Sequence, residues 1–193
     1  DVTTAASDVI AIGKDAGGAV ITSAGDGTVA IGRSALMALT IGTNNVAVGF
    51  SALAVCTTGN FNTVVGYEAL SQAQDEGNAN TAVGFRSLYS VNPAAADEGF
   101  NTAVGSASGK ELTTGEFNTY IGNDCGYYNE TGDSNVYVGH NSGVGVNNNN
   151  NSYNTAVGTN AMRGITTGDS NVTVGASAGV AVTDGNGKIF VGQ

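Results

Sequence analysis

Tryptophan is absent from this 193-residue chain, proline occurs once, histidine once, and charged residues make up only 11%. Basic residues are the scarcest: 6 Lys and Arg stand against 16 Asp and Glu, a formal net charge of −10. Phosphate neutralisation needs clustered Lys and Arg, so nucleic acid is excluded as a partner. The same deficit excludes electrostatic docking on an anionic membrane surface. No apolar run approaches the ~20 residues of a membrane span and no secretory signal is visible, so no membrane insertion is expected in this segment. The single histidine, His140, has no paired nucleophile, and neither a nucleophile elbow nor a Gly-Lys-Ser/Thr phosphate loop occurs. The Gly-Gly-x-Gly-x-Asp repeat of calcium-binding rolls is missing as well, and Asp26 and Asp184 read as turn formers. The chain is therefore not read as an enzyme, and neither cofactor nor metal is expected. The carboxylates Asp75, Glu76, Asp97, Glu98, Asp133 and Asp169 lie near turns and read as a solvated face.

Against these absences stand 30 glycines and one returning phrase. It is plainest in Asn80 to Gly84 and returns at Asn62 to Gly66, Asn101 to Gly105, Asn118 to Gly122 and Asn154 to Gly158. Looser copies close at Gly13, Gly32, Gly49, Gly139, Gly175 and Gly192, which makes eleven copies of a unit of roughly 17 residues. A fixed repeat period decides the architecture before any other signal. It predicts a quasi-one-dimensional stack in which each unit touches only its neighbours. One repeat domain spans residues 1–193, and the copy broken off at Gln193 reads as part of a longer fibrous protein.

With the closing Gly as position 0, position −1 is Val or Ile in every copy and position −3 is Thr, Val or Ile. Two β-branched residues one apart predict a short strand with a buried face, so both positions are expected to point inward. Position −2, which varies and includes Ala11, Tyr120, Tyr137, Thr173 and Phe190, is then expected to point outward. At +3 stands a small residue (Ala35, Ser87 and Cys125 among them), and at +4 Leu, Met or Gly. This reads as a second short strand, its small residue lodged inside a narrow roll. A Thr-rich segment and a turn follow, with Gly at the turn in Gly25, Gly42, Gly59, Gly77, Gly115, Gly132, Gly168 and Gly185. Strands and turns at this period make an all-β parallel β-roll or β-solenoid of about eleven coils. Stacking at about 4.8 Å per coil gives a rod of roughly 50 Å. So thin a core calls for the remaining apolar surface to be covered by other chains.

The Asn that opens the phrase, in Asn45, Asn62, Asn80, Asn101, Asn118, Asn135, Asn154 and Asn171, is expected to form a structural ladder along the stack. Cys56 and Cys125 lie four units apart, about 19 Å along such a rod, whereas a disulfide needs Cα atoms within about 7 Å. Cys125, in a slot that is otherwise Ala or Ser, reads as a small buried filler. Longer copies must bulge, chiefly around Val91 to Ala96, which holds Pro93, and around Asn147 to Asn151. Insertions in solenoids gather on one face, often a binding face.

Aromatic residues recur in register: Phe50, Tyr67 and Phe85 at +1, and Tyr120 and Tyr137 at −2. Such strips suit sugar faces, or packing between subunits together with Leu53, Leu70 and Leu88; the packing reading is preferred. A third reading, an ice-binding file of Thr63, Thr81, Thr102 and Thr119, is set aside because these threonines share the inward parity assigned to the valines.

The phrase Thr/Val-x-Val/Ile-Gly with Ala or Ser three residues on resembles the YadA-like heads of trimeric autotransporter adhesins. Strings such as Asn101 to Gly105 and Gly49 to Leu53, with turns such as Thr57-Thr58-Gly59, resemble the repeats of bacteriophage tail fibres more closely still. The resemblance covers essentially the whole chain. It implies a left-handed parallel β-roll that associates as a homotrimer into a rigid rod for host-surface attachment. The expected setting is a virion tail fibre, with other fibre or virion proteins and a host cell-surface glycan or other receptor as partners. The alternative is the head of a bacterial trimeric autotransporter adhesin on the bacterial outer surface.

Overall fold

The computed structural model describes residues 8–18, 26–73, 78–92 and 99–192. The insertion around Pro93, the turn glycines Gly25 and Gly77, and Asp75, Glu76, Asp97 and Glu98 lie outside the described residues. Each copy of the phrase forms one three-residue strand. These are β1 (Ile10–Ile12), β2 (Val29–Ile31), β3 (Val46–Val48), β4 (Thr63–Val65), β5 (Thr81–Val83) and β6 (Thr102–Val104). They continue as β7 (Thr119–Ile121), β8 (Val136–Val138), β9 (Thr155–Val157), β10 (Val172–Val174) and β11 (Ile189–Val191). All eleven pair in chain order as one parallel sheet, and equivalent positions face each other, as in Thr63↔Thr81 and Val65↔Val83. The described residues are thus an all-β solenoid without helix, one coil per phrase.

The parity of the strand is the reverse of the sequence expectation. Position −2 is the interior one: Ala30, Ala47, Val64, Ala82, Ala103, Tyr120, Tyr137, Ala156 and Thr173 are all fully buried. The flanking β-branched residues at −3 and −1 point outward, and Val65, Val104 and Val157 each keep 37% of their surface exposed. The reason is the asparagine at −4. In a strand, residues two apart share a face, so the side chain that must reach a ladder inside the coil takes position −2 in with it and turns −3 and −1 out.

The return half of the coil is a succession of turns, not the expected second strand. Positions +2 and +4 have positive φ in every described copy, including Ser51 (51°), Leu53 (50°), Glu68 (51°) and Leu70 (46°). Left-handed leucine costs roughly 1–2 kcal/mol, and it persists because neighbouring coils fix it from both sides. The amide of Glu68 donates back to the Phe50 carbonyl at 2.8 Å, while that of Leu53 donates forward to Ala69 at 3.0 Å. Alternating backbone handedness therefore keeps a coil-to-coil hydrogen-bond ladder without extended strands. Leu36, Leu53, Leu70, Leu88 and Met162 at +4 are fully buried, so these leucines fill the core and do not assist packing between subunits.

Positions −2 and +4 face each other across the core and share its volume. Where −2 is Ala or Val beside Leu, as in Ala47 with Leu53 or Val64 with Leu70, the large residue comes from the return half. Where −2 is Tyr, +4 is Gly: a Cβ on Gly143 would lie 2.4 Å from the Tyr137 ring, and one on Gly126 2.8 Å from Tyr120. Tyr137→Ala is expected to lower stability by about 3–5 kcal/mol through the cavity it leaves. Gly143→Leu alone is expected to be at least as damaging. The double variant, which recreates the Ala–Leu pairing, is expected to recover most of the loss in a thermal-melt double-mutant cycle.

Candidate functional site

The asparagines at −4 run through the interior as one continuous chain of amides. The Oδ1 of Asn101 accepts from the backbone N of Asn118 at 2.9 Å and from its Nδ2 at 3.1 Å. Asn118 repeats this to Asn135 at 2.9 and 3.1 Å, and the series continues through Asn154 to Asn171 and the Lys188 amide. In most copies the second Nδ2 proton goes to the turn glycine, as in Asn118 to the Gly132 carbonyl at 2.8 Å. Asn135 instead reaches the Asn151 carbonyl at 2.8 Å, and the buried Nδ2 of Asn80 has no partner among the described residues. All eight, Asn45 to Asn171, are at most 1% exposed. This ladder has no surface on which to bind anything; it holds coils together.

A second, outer ladder lies two residues earlier. Asp133 Oδ1 accepts from the Glu116 amide at 2.9 Å, and Asp169 Oδ1 from the Ser152 amide at 2.8 Å. Asn60 and Asn78 play the same part nearer the start, the Asn60 amide donating to Asn78 Oδ1 at 2.8 Å. Asp133 and Asp169 are therefore coil-to-coil acceptors as well as solvated carboxylates.

The aromatic positions separate into two kinds. Tyr120 and Tyr137 are not on the surface: both are fully buried, stacked at 5.5 Å, because −2 is the interior parity. Burial raises both phenol pKa values well above the usual range, so they stay neutral and need hydrogen-bond partners. Asn129, in a slot held by Leu39, Leu112 and Ile165 in other coils, donates to the Tyr120 hydroxyl at 2.9 Å. Tyr137 donates to Asn151 Oδ1. The insertion carrying Asn149 and Asn151 therefore folds these side chains inward, both at most 1% exposed, and serves the core. Cys125 lies fully buried beside this pair, and neither it nor Cys56 forms a disulfide. Burial pushes its thiol up to about 12, which keeps it protonated and unreactive.

Phe50, Tyr67 and Phe85 do reach the surface, 39%, 45% and 49% exposed. Their rings stack face to face along the rod, with centroids 5.1 and 5.6 Å apart. The end faces are covered by guanidiniums, Arg33 over Phe50 at 5.8 Å and Arg86 over Phe85 at 5.2 Å. Ring faces are thus engaged with one another and only edges look outward. That geometry is poor for stacking on a sugar and suited to packing against another apolar surface.

A further file, at −5, was not singled out from the sequence. Phe61, Phe100, Phe117 and Tyr153 are 42–64% exposed, all at positive φ, with Phe100 and Phe117 stacked at 5.4 Å. The signal was available: an aromatic residue directly before the opening Asn in four copies. The outer sheet face therefore carries two files of β-branched residues flanked by aromatics on both sides. Its threonines Thr63, Thr81, Thr102 and Thr119 stand in register on β4 to β7 and point outward, which removes the ground on which an ice-facing array was set aside. His140 is exposed on the return half. Among the described residues no group of three His, Cys, Asp or Glu is placed to hold a metal ion, and no helix is long and apolar enough to cross a membrane. Comparison with protein-family models, with curated proteins and with solved structures finds no match.

Proposed function

We propose that this chain is a rigid structural and adhesive segment of a bacteriophage tail fibre, working as a homotrimeric rod in host-surface attachment. The observation that carries the reading is the outer sheet face. It is a strip roughly 50 Å long of Val, Ile and Thr flanked by Phe and Tyr, with no described element covering it. Contiguous apolar surface on this scale marks an interaction site, and depletion of charge with aromatic enrichment is the composition of an interface core. Because the strip repeats with the coil, its natural partner is an identical strip on a second and third copy in the same register. Multivalent weak contacts from three chains then raise attachment strength through effective concentration. The head of a bacterial trimeric autotransporter adhesin is the alternative, and the chain flanking this segment separates the two.

Sedimentation at micromolar concentration tests the assembly. The expected result is a trimer that Val104→Glu, at the middle of the strip, converts to monomer while leaving the far-ultraviolet spectrum unchanged. A monomeric parent chain would overturn the trimer. It would favour a second reading carried by the outward threonines, an ice-facing array, which thermal hysteresis then decides.

A further inference from the structure

Two recesses lie on the return half of the coil, between side chains at +2 and those at +5 and +6 of adjacent turns. The core places this half on the wall opposite the strand face, since +4 glycines pack against −2 tyrosines across the interior. A ligand seated here would leave the proposed subunit strip untouched. The better-equipped recess, about 230 Å³, is formed by Asp124, Tyr127, Tyr128, Asn141, Val144 and Arg163. We propose that it binds one ring of a neutral polysaccharide, with Tyr128 as the stacking platform and Asp124, Asn141 and Arg163 as hydroxyl partners; this rests on the surface-attachment reading above.

Several observations converge on that chemistry. Tyr127 and Tyr128 meet edge to face, centroids 4.5 Å apart at 62°, so they form a corner whose contact occupies a single ring face, unlike the face-to-face stack of Phe50, Tyr67 and Phe85. Lys110 pins Tyr127 by donating to its hydroxyl at 2.7 Å and by lying 4.8 Å from the ring centroid. The Tyr128 hydroxyl, the Asp124 carboxylate and the Arg163 guanidinium have no hydrogen-bond or ion-pair partner among the described residues, although the two opposite charges line one recess. The Asn141 amide donates only a long bond, 3.3 Å, to Asn160 Oδ1. An aromatic corner ringed by an acid, an amide and a guanidinium matches a pyranose, whose one face is C–H and whose rim is hydroxyl. A net charge of −10 on the chain disfavours a polyanionic ligand. The volume suits a single ring. A second recess of about 210 Å³ repeats the pattern with Glu68, Gln72 and Tyr89. There the carboxylate is already engaged by Arg86 at 2.7 Å.

The test is an array of neutral and anionic glycans probed with the full chain, followed by affinity electrophoresis in the best-binding polysaccharide. Binding to at least one neutral glycan is expected. It should weaken roughly tenfold in Tyr128→Ala and in Asp124→Ala, and stay within about twofold of the parent in Tyr67→Ala. Each variant is to sediment as the parent does, and that readout separates failure of the groove from failure of the rod. No binding to any neutral glycan, binding to anionic glycans alone, or a loss in Tyr67→Ala equal to that in Tyr128→Ala overturns the assignment.

Discussion

Gly105→Ala is expected to break the stack in two. Gly105 has φ of +139°, a conformation open to glycine and strongly disfavoured for any residue with a Cβ. A Cβ there would also lie 2.3 Å from the carbonyl oxygen of Gly122 in the next coil. The neighbour cannot retreat, because the Gly122 amide donates to Val104 at 2.8 Å and Gly105's own amide to Val83 at 2.8 Å. Backbone strain and overlap together are expected to cost more than about 4 kcal/mol. In a nearest-neighbour stack the damage is local, so limited proteolysis should cut near residue 105 while coils on either side stay protected. Gly187→Ala is the control. Its φ is +64° and nothing lies within 4 Å of the added carbon, so a loss of only about 1 kcal/mol in urea is expected.

Asn118→Leu is expected to be nearly as severe for a different reason. The leucine removes donors to Asn101 Oδ1 at 3.1 Å and the Gly132 carbonyl at 2.8 Å, and the acceptor for the Asn135 amide at 2.9 Å. Each buried group left without a partner costs about 1–3 kcal/mol, and a total on the order of 4 kcal/mol should appear as a shifted urea midpoint. Asn118→Asp sharpens the test. Burial disfavours the charged form of the new carboxyl, and the two acceptors facing the oxygen that replaces Nδ2 do the same. Together they outweigh the Asn135 donors at the other oxygen, so its folded pKa lies above the unfolded one. Stability of that variant is then greatest below the unfolded pKa and falls as pH rises through the folded value. An Asp variant as stable at neutral pH as in acid would show that the ladder is not carried by amide protons.

Much of this architecture was legible in the chain. The period set the coil, the closing glycines set its corners, and the asparagines before the phrase marked the ladder. The side of the strand is not legible from β-branched residues, which are not in themselves a mark of burial. They report preference for a pleated backbone and can as well face a neighbouring subunit. The asparagine itself held the answer: Asn118 buried at −4 requires Tyr120 buried at −2, so Ile121 and Thr119 must look out. The same parity brings Tyr120 and Tyr137 inside, and their companions Gly126, Gly143 and Asn129 in the same copies are the sequence mark of it. The return half resisted reading because leucine at positive φ contradicts local preference, and only the adjacent coils impose it. The groove at Asp124, Tyr128 and Arg163 draws on three coils, and that convergence is a property of the stack.

The amide chain from Asn45 to Asn171 has a sense. Each Oδ1 accepts from the asparagine that follows it in sequence, so every finished turn offers a ready acceptor to the residues still to come. A polypeptide emerging from the ribosome can therefore wind onto its own completed portion. The outer series at Asp133 and Asp169 has the opposite sense, its acceptors lying on the later turn, so each newly laid turn both meets waiting acceptors and satisfies donors left open by the one before.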